Sequence, residues 1–521
     1  EVMVSLLYLY PEAGSPIECL RDLGLEQIVS RICRDSDFAS FILETLGKPL
    51  QNQANVTYRQ EIYRDFIDNS GLFQELSVIC QRYSKLISEW DKEIAKFRTQ
   101  TGKMQFDAAH LDNIRDVVYT LEANATYSVK ITSVPEVLVN LLDKYTIKSQ
   151  GLSTLKWFCE TRMQDENFIR LRQIAGELSE ITTILDNGCE VTVDLNDSLY
   201  MEAVHFVKLI DGNQIVLNQP KPSFLASLLT PKNVNATTIE HNETVRIELG
   251  GDTTRELVAF IAEALKEVSS FLSNIVKRIY PVFASLAKEL LFYNFALRLH
   301  QLYNEARVPI CIPSIKPDTD DILQCEDLFD LLLVVKDHYS KRPRHDVVPN
   351  DVQLKQQICG ILIKGNNNSG KTTFLRAIGI AQILAQAGLP IPALSAVISI
   401  RRSILTQFSS EDRLAVDGDA GRFEGEVREV AAIIERLEPY SLVLFNETFQ
   451  TTAFDEAADA MFDILDIISQ LGVKWIFVTH LLQLYDRFTY AKKDVSFLQT
   501  NTSREGRYKL VTIPHFPLSN L

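Results

Sequence analysis

Gly365-Asn366-Asn367-Asn368-Ser369-Gly370-Lys371-Thr372 satisfies the spacing G-x-x-x-x-G-K-[ST]. A segment of this kind can wrap an anion. Its backbone N–H groups turn inward around phosphate oxygens, at angles a Cβ would block at some positions. Lys371 is placed to reach the β- and γ-phosphates of a nucleoside triphosphate, and the Thr372 hydroxyl to ligate Mg²⁺. Thr373 completes the nucleotide-binding set. Further along, Asn446-Glu447 closes an apolar run; Glu447 is the candidate general base on an attacking water. His480 closes another such run and is the candidate sensor of the γ-phosphate.

These residues need rigid elements to position them. The apolar stretch 358–364 has strand length, and the residues from Thr373 onward have helical apolar spacing. Strand, glycine loop and helix in that order give the loop its meaning, because the helix N-terminus adds a positive partial charge behind the anion. The runs 440–446 and 473–479 read as two more strands. A polar residue at the C-terminal end of such a strand lies in the crevice where α/β sheets bind ligands.

At this point the chain resembles a known family. Val348-Pro349-Asn350-Asp351, the Asn-rich loop, Phe374-Leu375-Arg376, Gly388-Leu389-Pro390, Ser441-Leu442-Val443-Leu444 and Thr479-His480 make residues 340–521 similar to the ATPase domain of MutS-type DNA mismatch-repair proteins. That domain is an ABC-class P-loop ATPase. The resemblance implies an α/β fold with ATP and Mg²⁺ as cofactors, and adenine near Asn350. It also implies a homodimer in which one subunit's loop faces the partner's signature segment, with Arg422 as the trans contact. Three departures are visible. Asn446 stands where the family has Asp, so the metal-organising carboxylate becomes a neutral amide. Thr448-to-Asp455 replaces a Gly-rich segment. The Ser-Thr-Phe signature reads Gly421-Arg422-Phe423. These departures favour nucleotide binding over fast turnover.

Composition bounds the rest. A chain of 521 residues should form two to four packed units. The longest apolar stretches are too short to span a bilayer, and residues 1–10 lack the basic start of a secretion signal. Eight cysteines without C-x-x-C or His pairing argue against a zinc site or a disulfide framework, and fit reduced thiols in a cytoplasm. The net charge of −15 opposes a dedicated nucleic-acid binder, which usually shows a basic footprint. Acidity overall still leaves room for a local basic channel, so DNA stays open as a partner.

Upstream, apolar spacing is helical over 20–185, changes to short alternating strands over 189–250, and returns to helix from Thr254 to Ala306 with a break near Pro281. The expected fold is therefore multidomain: an all-α core or lever (1–188), a small β-rich clamp-like insert (189–252), returning long helices (253–340), and a C-terminal α/β P-loop ATPase domain (341–521). In this order we find no place for a mismatch-reading domain. Its Phe-x-Glu motif has one echo, Phe73-Gln74-Glu75, which sits better on a helical core face. Two functions follow: an ATP-switched dimer acting on DNA repair or recombination intermediates without mismatch recognition, or a nucleotide-gated protein scaffold that hydrolyses slowly or not at all.

Overall fold

The computed structural model describes residues 4–12, 14, 16–101, 127, 129–166, 168–169, 172–173, 189–195, 201–209, 281–340, 346–408, 419–449, 454–501 and 508–513. In chain order the helices and strands begin with α1 (Leu25–Ile32), α2 (Ser36–Leu46), α3 (Gln53–Asp68), α4 (Leu72–Thr101), α5 (Val134–Asp143) and α6 (Gln150–Gln164). A strand pair, β1 (Cys189–Leu195) and β2 (Met201–Leu209), precedes helix α7 (281–306). Then come β3 (Ser314–Lys316), β4 (Leu323–Leu328), α8 (Leu331–His338), β5 (Asn350–Leu354), β6 (Gly360–Lys364) and α9 (Lys371–Ala387). The remainder is β7 (Ser395–Ser399), β8 (Ile404–Phe408), α10 (Asp419–Glu435), β9 (Leu442–Asn446), α11 (Phe454–Gln470), β10 (Lys474–Val478), α12 (Gln483–Tyr490), β11 (Val495–Thr500) and β12 (Leu510–Thr512).

The chain forms two compact units. The first gathers residues 1–4, 69–147 and 152–288; the second gathers 5–68, 148–151 and 289–521. In the first unit, α4 buries Leu72 and Leu76 in its opening turns. Phe73-Gln74-Glu75 is thus part of a helix start, and Glu75 accepts a 2.7 Å hydrogen bond from the Tyr145 hydroxyl. Val78, further along the same helix, is 52% exposed. β1 and β2 pair antiparallel, with Thr192 opposite His205. The other strands expected between 210 and 250 lie outside the described residues.

The second unit carries two sheets. The larger has the order β12-β11-β6-β10-β9-β8 and is parallel except for β12 at its edge. The smaller has the order β3-β7-β4-β5. Two features depart from the expected division of the chain. Strands β3 and β4 fall within 253–340, where only returning helices are expected, and residues 5–68 pack with the loop-bearing unit instead of a separate arm. Both have physical causes. β3 is three residues long and β4 carries Gln324, Glu326 and Asp327, so neither shows an apolar run. Helical spacing marks a buried face without naming what covers it.

α9 organises this unit. Fourteen of its seventeen residues are buried, so it is apolar nearly all round, as a helix enclosed by its own domain must be. Both of its fully buried glutamine amides are used as donors: Gln382 Nε2 donates to Gln386 Oε1 and the Ser399 carbonyl, and Gln386 Nε2 to the carbonyls of Leu50 and Arg401, while Gln382 Oε1 has no partner among the described residues. Gly388 ends the helix at φ 83°, the left-handed geometry that favours glycine. Against that end sits buried Arg59 of α3, whose Nη1 donates to the Ala387 carbonyl and Nε to the Leu7 carbonyl. The rings of Tyr8 and Phe292 lie 5.0 and 4.9 Å from its guanidinium carbon. A Cβ on Gly388 would stand 2.8 Å from the Arg59 Cβ. Gly388→Ala should therefore lose about 1–3 kcal/mol of stability, through backbone strain and that contact, read as a lower midpoint of urea unfolding.

Candidate active site

β6 presents the loop. Its Ile361, Leu362 and Ile363 are buried between β10 and β11, in parallel register with both. A loop leaving the C-terminal end of a central parallel strand enters the crevice where such sheets bind ligands. Three loop residues take positive φ: Gly365 at 155°, Asn368 at 58° and Gly370 at 93°. At Gly365 the absence of a side chain is mandatory, since a Cβ would lie 2.0 Å from Thr500 Oγ1. Gly370 is the N-terminal cap of α9.

The loop's cation is held close. Lys371 is 4% exposed, and its Nζ donates to the carbonyls of Gly365 (2.8 Å) and Asn366 (2.9 Å). Burial pushes its ammonium below the usual lysine range, while Glu447 opposes that shift. The Glu447 Oε1 atom stands 3.9 Å from Lys371 Nζ and 3.4 Å from His480 Nε2.

The sheet itself sets these positions. All five residues of β9 are buried, and its last, Asn446, is in register with Val478 of β10 and Phe408 of β8. The Thr372 hydroxyl donates to Asn446 Oδ1 at 3.0 Å, joining the start of α9 to the end of β9. Glu447 extends the ladder by one bond, its N–H to the Val478 carbonyl at 2.8 Å, and then turns at φ 58°. Thr479 N–H donates to the Ile363 carbonyl, and Leu481 N–H to the Thr479 hydroxyl, which sets His480 beside the loop strand.

The residues suit a magnesium nucleotide. The Ser369 hydroxyl is buried and has no hydrogen-bond partner among the described residues, an orphaned polar atom on the loop itself. Thr372 Oγ1 and Asn446 Oδ1 are hard oxygen donors, the class Mg²⁺ prefers. Both are neutral, so the pair offers a weaker electrostatic grip than a carboxylate would.

Of the residues singled out from sequence, Gly365 to Thr373, Asn446, Glu447 and His480 gather here. Asn350 does not offer a free amide: its Nδ2 donates to the Tyr508 carbonyl, and its Oδ1 accepts from Leu510 N–H. It thereby anchors the turn whose Tyr508 ring lies 3.4 Å from where a Gly370 Cβ would be. Tyr508 and Thr500 are loop neighbours that the sequence reading missed; Thr500 ends β11 and Tyr508 lies two residues before β12, in a stretch that carries no nucleotide motif. Arg422 belongs to the first turns of α10, and its side chain lies outside the described residues.

Comparison with known proteins agrees with this geometry. The chain matches the family model for MutS domain V over residues 361–512 and that for the MutS2 N-terminal domain over residues 51–305. It is 32% identical over 173 residues to the Endonuclease MutS2 of Geobacillus sp. (strain WCH70), covering 32% of this chain and 22% of that protein. It is 32% identical over 144 residues to the DNA mismatch repair protein MutS of Thermotoga neapolitana, covering 28% and 18%. With the MutS protein of Granulibacter bethesdensis it shares 35% over 138 residues, covering 26% and 15%. The match thus spans less than a quarter of the length of each of these relatives. With both family models matched, and with a phosphate loop, Asn446-Glu447 and Thr479-His480 assembled at the C-terminal ends of the central strands, the chain belongs to the MutS family.

Proposed function

We propose that this chain is an ATP-switched dimer that binds and hydrolyses ATP with Mg²⁺ and acts on DNA repair or recombination intermediates without reading mismatches. One observation carries the reading: Lys371, Thr372, Asn446, Glu447 and His480, from two strand ends and one helix start, meet around a single loop. The backbone N–H groups of 365–373 would hold the phosphates, with Lys371 Nζ on the β/γ oxygens. Thr372 and Asn446 would hold Mg²⁺, which when bound neutralises charge on those oxygens. Glu447 would take the proton of the attacking water, oriented by His480 on the same carboxylate oxygen.

A second reading, a nucleotide-gated scaffold with slow or no hydrolysis and no direct DNA contact, is favoured by two observations. The amide of Asn446 brings no charge to the metal. Several described basic residues are also already paired: Lys144, Lys148, Arg402 and Lys493 each lie 2.5–3.4 Å from a carboxylate, and Arg401 is buried. Lys341, Arg342 and Arg344 lie outside the described residues. The salt dependence of DNA affinity separates the two readings. Phosphate contacts give a steep linear fall of log affinity with log salt, and a flat response would favour the scaffold.

Lys371→Ala should abolish tight ATP binding, since it removes the main side-chain positive charge on the phosphates. An equilibrium binding assay showing unchanged affinity would overturn the site. Asn446→Asp should raise kcat ~10-fold, a barrier change of about 1.4 kcal/mol, by restoring charge at the metal. A slower Asn446→Asp enzyme would show that the amide is not a handicap. Glu447→Gln should cost roughly 10²–10⁴-fold in kcat with ATP binding intact. Nucleotide trapped by that variant should hold a dimer in light scattering, because ATP bridging two subunits favours the closed pair. Arg422→Ala should loosen it. A monomer at saturating ATP and Mg²⁺ would refute the switch.

A further inference from the structure

The turn that carries Glu447 is strained. Glu447 and Phe449 both sit at left-handed φ, 58° and 62°, although neither is glycine. Left-handed non-glycine residues persist only where their surroundings over-determine them. Here the surroundings are specific. Glu426, at the start of the third turn of α10, accepts the Phe449 N–H at 2.7 Å through Oε2. The Thr448 hydroxyl donates to Gln407 Oε1 at the end of β8, and Gln407 Nε2 donates to Glu429 Oε2, one turn further along α10, at 3.3 Å. The Phe449 ring is 3% exposed and shares a buried cluster with Val430 and Ile433 of the same helix. One face of α10 thus holds residues 448 and 449 by two polar links and one apolar contact, all immediately after the proposed base.

We infer that Glu426 is a positioning residue for Glu447, fixing the strained turn so that the carboxylate is presented to the loop, and that it ties this presentation to the placement of α10. The inference rests on the reading of Glu447 as the base, and extends it to regulation. α10 begins with the segment proposed to face a partner subunit, so displacing that helix would pull on the Phe449 N–H directly. Without Glu426 that buried N–H loses its acceptor, and the turn can relax toward right-handed φ, carrying Glu447 with it.

Two conservative variants separate reach from charge. Glu426→Gln keeps an oxygen at the same distance and removes the charge; Glu426→Asp keeps the charge and falls one methylene short. The aspartate variant should lose ~10-fold or more in kcat with the KM for ATP within about 2-fold, while the glutamine variant stays within about 3-fold of wild type. Amide exchange at 447–449 is a second readout that requires no hydrolysis. It should quicken ~10-fold in Glu426→Asp and stay protected in Glu426→Gln, with circular dichroism of both unchanged. If the wild type turns over no ATP, the hydrolysis reading fails while the exchange measurement still decides whether Glu426 fixes the turn. Protection at 447–449 in Glu426→Asp equal to wild type would overturn the inference. So would equal damage in both variants, which would make the charge matter and not the reach.

Discussion

The enclosure of α9 is the constraint from which the second unit's architecture follows. Fourteen buried residues out of seventeen leave it almost no solvent face, so something must cover every side. The larger sheet covers one, and β7 and the α2–α3 connection meet its glutamines. Arg59 closes its far end against rings from Tyr8 and Phe292. A helix held on all sides cannot pivot independently of its neighbours. Its first turn, Lys371 and Thr372, is consequently fixed to the same frame that fixes Asn446 and Glu447.

That frame explains how five chemical groups separated by more than a hundred residues converge. Parallel strands in register end at the same level, so Lys364, Asn446 and Val478 terminate side by side, and the residues just beyond them share one crevice. The Thr372–Asn446 hydrogen bond is of the ordinary neutral kind, worth about 0.5–1.5 kcal/mol net. A divalent cation can outcompete it. An aspartate in place of Asn446 would add Coulomb attraction that an amide lacks.

Much of this site is legible in sequence, because its parts are local: glycine spacing, an apolar run of strand length, a polar residue at each run's end. β6, β9, β10 and α9 lie where those signals put them. The second sheet is not legible, since three-residue β3 and acidic β4 carry no apolar run and gain their order from pairing with β7 and β5. The same holds for Asn350, which reads as a nucleotide contact but whose amide is committed to Tyr508 and Leu510. Nor does Glu426 announce itself: it is one of several acids on α10, distinguished only by the strained peptide it meets 23 positions later.

The loop-bearing unit is stitched from residues 5–68, 148–151 and 289–521, and this has a consequence for how the chain is born. The Leu6 N–H is received by the Glu289 carboxylate at 2.6 Å, and the Tyr58 hydroxyl donates to Ser5 beneath it. α1 to α3 therefore leave the ribosome long before their covering helix exists. At about 5–20 residues per second, the wait is roughly 10–40 s. Through that interval Ile28, Ile42, Ile62 and Phe66, all buried in the finished unit, stand without their long-range partners. Nascent-chain protection, by a holding chaperone or by transient self-packing of the first three helices, is thus built into the order of the sequence.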